Sequence, residues 1–321
     1  MKESYEPIRS SLEGRIVYTL EDTDARGSSS LSVCEQGGIV TGFIVNGNQI
    51  LSQDGLRRGI PVMFPWAGPA PLRFSIDGRP VDITSLKTDS TDKGATYNHG
   101  VLRNRVCAVE GAPYKDAAGL HFSLSWSTGE VPAVAEIFGL MKLVIRYTLS
   151  GTTLTLDEEV SGKGFFTLWN HPWFATAARD AWMLAIPARS HAVAEEGLLT
   201  AKKERVAGSS FDFGTLTSLR GVDLDVVFTD LAKDVGGWAT AYLYSPADGT
   251  LLTMRCKGFE CMVAYAPQRA GRTDIVCVES ATTPGIVAGR VAVDPEHPWK
   301  GSTQIIVEKM KQKKVGEQLH Y

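Results

Sequence analysis

Residues 143–156 read LVIRYTLSGTTLTL, and this stretch decides the fold class. Leu143, Ile145, Tyr147 and Leu149 occupy alternate positions, Ser150-Gly151 interrupts, and Leu154 and Leu156 resume the alternation. Successive side chains of a strand point to opposite faces, so a period of two marks two strands that each bury one face. The short polar break between them predicts an antiparallel hairpin with its apolar row on a core.

The same grammar recurs on either side. Across residues 43–51, Asn46-Gly47 separates two apolar runs, and an Asn-Gly pair favours the positive φ angles of a tight hairpin turn. Tyr242 and Tyr244 precede Ser245-Pro246-Ala247-Asp248-Gly249, after which Leu251 and Met254 open a returning strand; Pro and Gly supply the turn geometry. Helical patterning is sparse: residues 131–140 predict a turn or two, and residues 308–319 a terminal helix. There is no fixed-period repeat, low-complexity segment or long Gly/Ser/Pro linker to mark a boundary. The chain therefore reads as all-β: one large antiparallel domain over residues 1–321, built as a β-sandwich of two packed sheets.

Composition narrows the function classes. At 321 residues and 43% hydrophobic content the chain can bury a sizeable core. Lys and Arg number 33 against 36 Asp and Glu, and no basic stripe precedes the terminal run of Lys309, Lys311, Lys313 and Lys314, so nucleic acid is not an expected partner. Residues 1–20 are broken by Lys2, Glu3, Glu6, Arg9, Glu13 and Arg15, which leaves no apolar segment of a secretory signal, and no window suits a membrane helix. A soluble, cytoplasmic protein without a membrane partner is expected, as a monomer or homodimer. Cys34, Cys107, Cys256, Cys261 and Cys277 are odd in number and form no CxxC pair, so they read as buried thiols, and no metal site is expected.

Four segments hold candidate chemistry. Residues 56–68, LRRGIPVMFPWAG, set Arg57 and Arg58 before an apolar strand that ends in Trp66. Guanidinium groups bond hydroxyls or anions and an indole face packs on the C–H face of a sugar ring, although this segment taken alone reads better as a surface arginine pair before a core strand with Trp66 buried. Residues 97–105, YNHGVLRNR, gather Asn98, His99 and Arg103 beside Gly100. Residues 165–174, FFTLWNHPWF, hold His171 between Asn170 and Pro172 with Trp169 and Trp173 alongside; desolvation by such rings favours a neutral imidazole suited to proton transfer. Residues 275–280, IVCVES, end an apolar run on Glu279, and a carboxylate there is either a strengthened base or one half of an ion pair.

In this order the segments resemble the aldose 1-epimerase (galactose mutarotase-like) superfamily, including its hexose-6-phosphate relatives. The likeness runs through an N-terminal hairpin, the F-P-W strand, an R-F-x-x-D-G loop at residues 73–78, the His-Gly-x-x-R-x-R strand, the His-Pro-aromatic-Phe strand, an Asp before a Phe at Asp225, and the strand ending in Glu279. Asp223 competes with Asp225 for its place. The resemblance implies a supersandwich fold and interconversion of hexose anomers without a cofactor. It assigns His171 and Glu279 as the catalytic acid and base. His99 and Asp225 then hold sugar hydroxyls, with Arg57, Arg103, Trp66 and Asn98 as further substrate contacts.

Two departures bear on the substrate. Aldose-type members commonly carry Asn-Arg after F-P, where this chain reads Ala67-Gly68-Pro69-Ala70-Pro71, and the sugar-phosphate relatives have a shorter connection than residues 70–98. The expected small-molecule partner is accordingly a sugar or a sugar phosphate. Two other classes stay open: a carbohydrate-binding protein that kept the fold without catalysis, and a glycoside hydrolase in which Asp225 and Glu279 form the carboxylate pair.

Overall fold

Leu149 faces Leu154 and Tyr147 faces Leu156 across the predicted hairpin, formed by the strands Gly139–Ser150 and Thr153–Phe166. In this computed structural model, which describes residues 2–76, 78–86, 96–268 and 273–310, that hairpin lies in the middle of a twelve-stranded antiparallel sheet. Trp299–Lys309 flanks Thr153–Phe166 on its other edge, followed by Thr250–Lys257 and Ala239–Ser245, which form the hairpin predicted around residues 245–249.

A second layer covers the inner face of this sheet. It consists of an eight-stranded and a five-stranded sheet, joined edgewise by bridges between Leu51 and Phe174 and between Val40 and Ile60. The alternating apolar rows of both layers meet in one continuous core that includes Phe43, Phe64, Trp126, Tyr147, Leu156, Phe228 and Val278. Tyr147 ties the layers directly, donating its hydroxyl to the carbonyl of Gly38 at 2.5 Å. The fold is an antiparallel β-sandwich of large sheets, as the period-two pattern requires.

The Asn-Gly turn forms as predicted. Val45 pairs with Asn48, and Asn46 (φ 50°) and Gly47 (φ 77°) both adopt the left-handed conformation. Of the helical expectations, residues 131–140 yield the helix Pro132–Phe138. The terminal helix needs correction: Glu308 and Lys309 complete the strand Trp299–Lys309, where Val307 and Ile305 are buried and Lys309 pairs with Thr250, while residues 311–319 lie outside the described residues. All five cysteines are free and buried. Among the described residues no helix is long and apolar enough to cross a membrane, and no group of three or more His, Cys, Asp or Glu could hold a metal ion.

Candidate active site

The eight-stranded sheet has two unlike faces. In antiparallel register Asp225 lies opposite Tyr265, Tyr265 opposite Cys277, and Cys277 opposite Trp173, so these four share one face. Glu279, two residues beyond Cys277, shares it too. Val226, Ala264, Val278 and Phe174 alternate to the other face and enter the core. The sheet thus holds a row of polar and aromatic groups away from the core on a rigid frame.

Two loops complete the wall. The backbone of His171 donates to Pro61 and that of Trp173 donates to Gly59, at 3.1 and 2.8 Å, which fastens the arginine segment beside the His-Pro-Trp turn. His99 and Gly100 both adopt positive φ, 67° and 66°, where the chain turns past the strand end. The amide of His99 donates to Gly68 at 3.1 Å, and those of Val101 and Leu102 donate to Phe64. Together these elements enclose a cavity of about 490 Å³ whose walls include Arg57, Arg58, His99, Arg103, His171 and Trp173. A larger cavity of about 700 Å³ lies beside Ile76, Asp82, Glu136 and Phe165, with no histidine among the described residues of its wall.

His171 is in the wall of the smaller cavity, and behind that wall its Nε2 approaches Glu279 Oε1 to 3.3 Å. Trp173 stacks flat on the His171 ring, with centroids 4.8 Å apart and planes 3° from parallel, while the His99 ring stands edge-on at 5.8 Å. Glu279 is 2% exposed and His171 7%. Desolvation pushes the Glu279 carboxyl well above the usual carboxylate range, with the Asp225 charge adding to it. Burial likewise holds His171 well below the ordinary histidine value, helped by His99. His99 itself falls to about 4, chiefly from burial and secondarily from Arg103. All three shifts favour a neutral imidazole pair beside a protonated carboxyl. Four buried polar atoms here, His99 Nδ1, His171 Nδ1, Trp173 Nε1 and Glu279 Oε2, have no hydrogen-bond partner among the described residues.

The structure brings His171, Glu279, His99, Arg57 and Arg103 together. Asp225 is exposed on Leu224–Leu231; partial desolvation and then Asp223 raise its carboxyl, and its charge is felt at Glu279. Asn98 is half-buried and pairs with Pro69 in a two-stranded ribbon; it is outside the cavity wall. Trp66 is a correction. It is fully buried, stacks on Phe138 at 5.2 Å, packs edge-on against Tyr97 and donates Nε1 to the Tyr97 carbonyl, so neither ring face is open to a sugar. The aromatic platform in the cavity is Trp173, which the sequence offers only as a neighbour of His171. Of the two adjacent arginines, Arg58 is tied to Ser52 at 2.7 Å and Asp274 at 3.3 Å, and Arg57 is exposed at the rim.

Comparison with known proteins places the chain in a family. The family model described as aldose 1-epimerase matches residues 18–316, and the chain belongs to that family. A galactose mutarotase-like protein from Clostridium acetobutylicum superposes with a TM-score of 0.78 at 16% identity, covering 96% of this chain and 99% of that one. The galactose 1-epimerase from Lactobacillus acidophilus gives 0.74 at 17% identity, over 97% and 99%. The Slr1438 protein from Synechocystis gives 0.69 at 21% identity, over 96% and 99%. At these identities the structural likeness speaks to the fold. A comparison with curated proteins finds no match.

Proposed function

We propose that this protein is a mutarotase that interconverts the α and β anomers of a hexose or hexose phosphate by side-chain acid–base catalysis. The observation that carries the reading is the His171–Glu279 pair, 3.3 Å apart and buried, with His171 in the wall of a cavity also lined by His99 and three arginines. In ring opening, Glu279 takes the proton of the anomeric hydroxyl, the bond from C1 to the ring oxygen breaks as C1 becomes a carbonyl, and His171 gives a proton to the ring oxygen. That leaves a protonated carboxyl and a neutral imidazole, the state that burial of both groups favours. After rotation about C1–C2, the same two groups run in reverse and close the ring on the other carbonyl face. The pair holds one proton throughout, and neither cofactor nor covalent intermediate enters.

In this reading His99 and Asp225 bind sugar hydroxyls, and Trp173, stacked on His171, offers an apolar edge beside the reacting atoms. An imidazole against Glu279 favours this reading over a hydrolase, whose chemistry asks for two carboxylates about the bond. Arg57 favours an anionic substrate: it lines the cavity and its guanidinium has no side-chain partner among the described residues. Saturation-transfer NMR or polarimetry of anomer exchange with glucose, galactose and glucose 6-phosphate tests the proposal, with Glu279→Gln as control. Acceleration abolished by the substitution supports it. Folded wild type that binds a sugar yet accelerates no exchange points instead to a binding protein.

A further inference from the structure

Directly behind the catalytic pair, on the core side of the same strands, lies a buried polar cluster. In Thr153–Phe166 the inward row runs Leu154, Leu156, Glu158 and Val160, so a carboxyl replaces an aliphatic side chain in the middle of the sandwich. Glu158 is 2% exposed, and its Oε1 accepts from Asn170 Nδ2 at 2.5 Å. The same Nδ2 is 3.2 Å from Ser280 Oγ and 3.0 Å from Thr303 Oγ1, and these two hydroxyls are 2.7 Å apart. Asn170 precedes His171, Ser280 follows Glu279, and Asn170 and Ser280 are paired in register. Glu158 and Thr303 come from the opposite sheet.

We infer that Glu158 is a positioning residue that, through Asn170, Ser280 and Thr303, clamps the two strand segments carrying His171 and Glu279 to the facing sheet and so sets their mutual approach. This rests on the mutarotase reading and deepens it. A core row of aliphatic groups would close the sandwich without fixing lateral position, whereas hydrogen bonds across the layers have a single register. Their directionality matters here because the His171–Glu279 distance must survive opening and closing of the sugar ring. Burial raises the Glu158 carboxyl well above the ordinary range, against the opposing bond from Asn170, so the neutral acid is the form that binds. The titratable neighbours of Glu158 are Asp157, Tyr147 and Cys256. A neutral acid at this place can be replaced by its amide.

The test uses the full chain with Glu158→Gln and Glu158→Leu, read by kcat and KM for anomer exchange and by the side-chain 15N resonances of His171. The NMR reading needs no turnover. Glu158→Gln is expected to stay within about threefold of wild type in kcat and to leave the His171 resonances in place. Glu158→Leu is expected to lower kcat at least tenfold with KM little changed and to move the His171 resonances, because positioning acts on the transition state more than on binding. Should Glu158→Leu fail to fold, Thr303→Val, which removes one hydroxyl at nearly constant volume, is expected to shift the same resonances and lower kcat by a smaller factor. A folded Glu158→Leu or Thr303→Val with unmoved His171 resonances overturns the inference, as does loss of melting temperature with normal kcat per folded molecule. If wild type accelerates no sugar while the His171 resonances still move in Glu158→Leu, the mutarotase reading fails and the clamp stands.

Discussion

His171 and Glu279 meet at 3.3 Å from two neighbouring segments of one sheet, and each arrives with the protonation state opposite to that of an exposed ion pair. Glu279→Gln separates chemistry from stability. The amide keeps shape but cannot accept the anomeric proton, so anomer exchange should fall about 10²–10⁴-fold. A carboxyl whose folded pKa is raised loses stability as pH climbs from its unfolded value through the folded one. The variant should therefore melt higher than wild type, by a margin that grows with pH above about 4.5. Thermal melts from pH 4 to 8 measure this; a margin that shrinks with pH would contradict the burial of Glu279.

The rate should depend on pH through the pair as a unit, because the reactive forms hold one proton between them. Protonating His171 as well, or removing the carboxyl proton, leaves the pair unable to shuttle. With His171 lowered by burial and Glu279 raised by it, kcat/KM should be flat across neutral pH and should fall on the acid side only below the ordinary histidine range. An acid limb centred near 6.5 would mean that His171 titrates as if in water.

Trp66 and Trp173 make opposite predictions. Trp66→Ala removes a fully buried indole and its bond to Tyr97, and should cost about 3–5 kcal/mol of stability while the KM of the folded fraction changes little. Trp173→Ala should lower kcat at least tenfold, since the ring that stacks on His171 is lost. Denaturant titration alongside kinetics distinguishes them.

These two tryptophans also show where sequence reading ends. Period-two alternation is a local property, so the hairpins around Asn46-Gly47 and Ser150-Gly151 were legible, as was the sandwich they imply. Whether the indole of Trp66 faces a ligand is settled by Phe138, which comes from a helix 72 positions on in the chain, and no local pattern contains that. Arg57 and Arg58 are equivalent as text; Asp274, more than 200 residues later, holds one and leaves the other at the rim. Glu158 does carry a local signal: continuing the alternation from Leu154 and Leu156 puts a carboxyl on the inward row.

Arg57→Ala should separate substrates. Removing an exposed guanidinium at the rim is expected to leave the melting temperature unchanged and to raise KM for glucose 6-phosphate about tenfold, with less than about a twofold change for glucose. Equal effects on both sugars would assign Arg57 to hydroxyl contacts instead. The phosphate effect should also shrink as salt is added, because an exposed charge pair is screened.

Gly100→Ala tests how His99 is held. Gly100 has φ +66°, and a Cβ there would stand 2.4 Å from the Phe64 carbonyl oxygen, 2.7 Å from its carbon and 2.8 Å from the Trp66 oxygen. All three atoms are backbone, and the Phe64 oxygen already accepts from Val101 and Leu102, so the turn itself must move. A loss of about 2 kcal/mol or more is expected from the left-handed strain and the displacement together. Because His99 is the preceding residue and shares the unusual backbone, its ring should leave its place beside His171, and kcat/KM should fall at least tenfold. The double variant His99→Ala with Gly100→Ala shows whether the loss runs through His99. In that double variant kcat/KM should fall no further than with His99→Ala alone. A further drop in the double variant would mean that the turn supports the site through its bonds to Phe64 rather than through the imidazole.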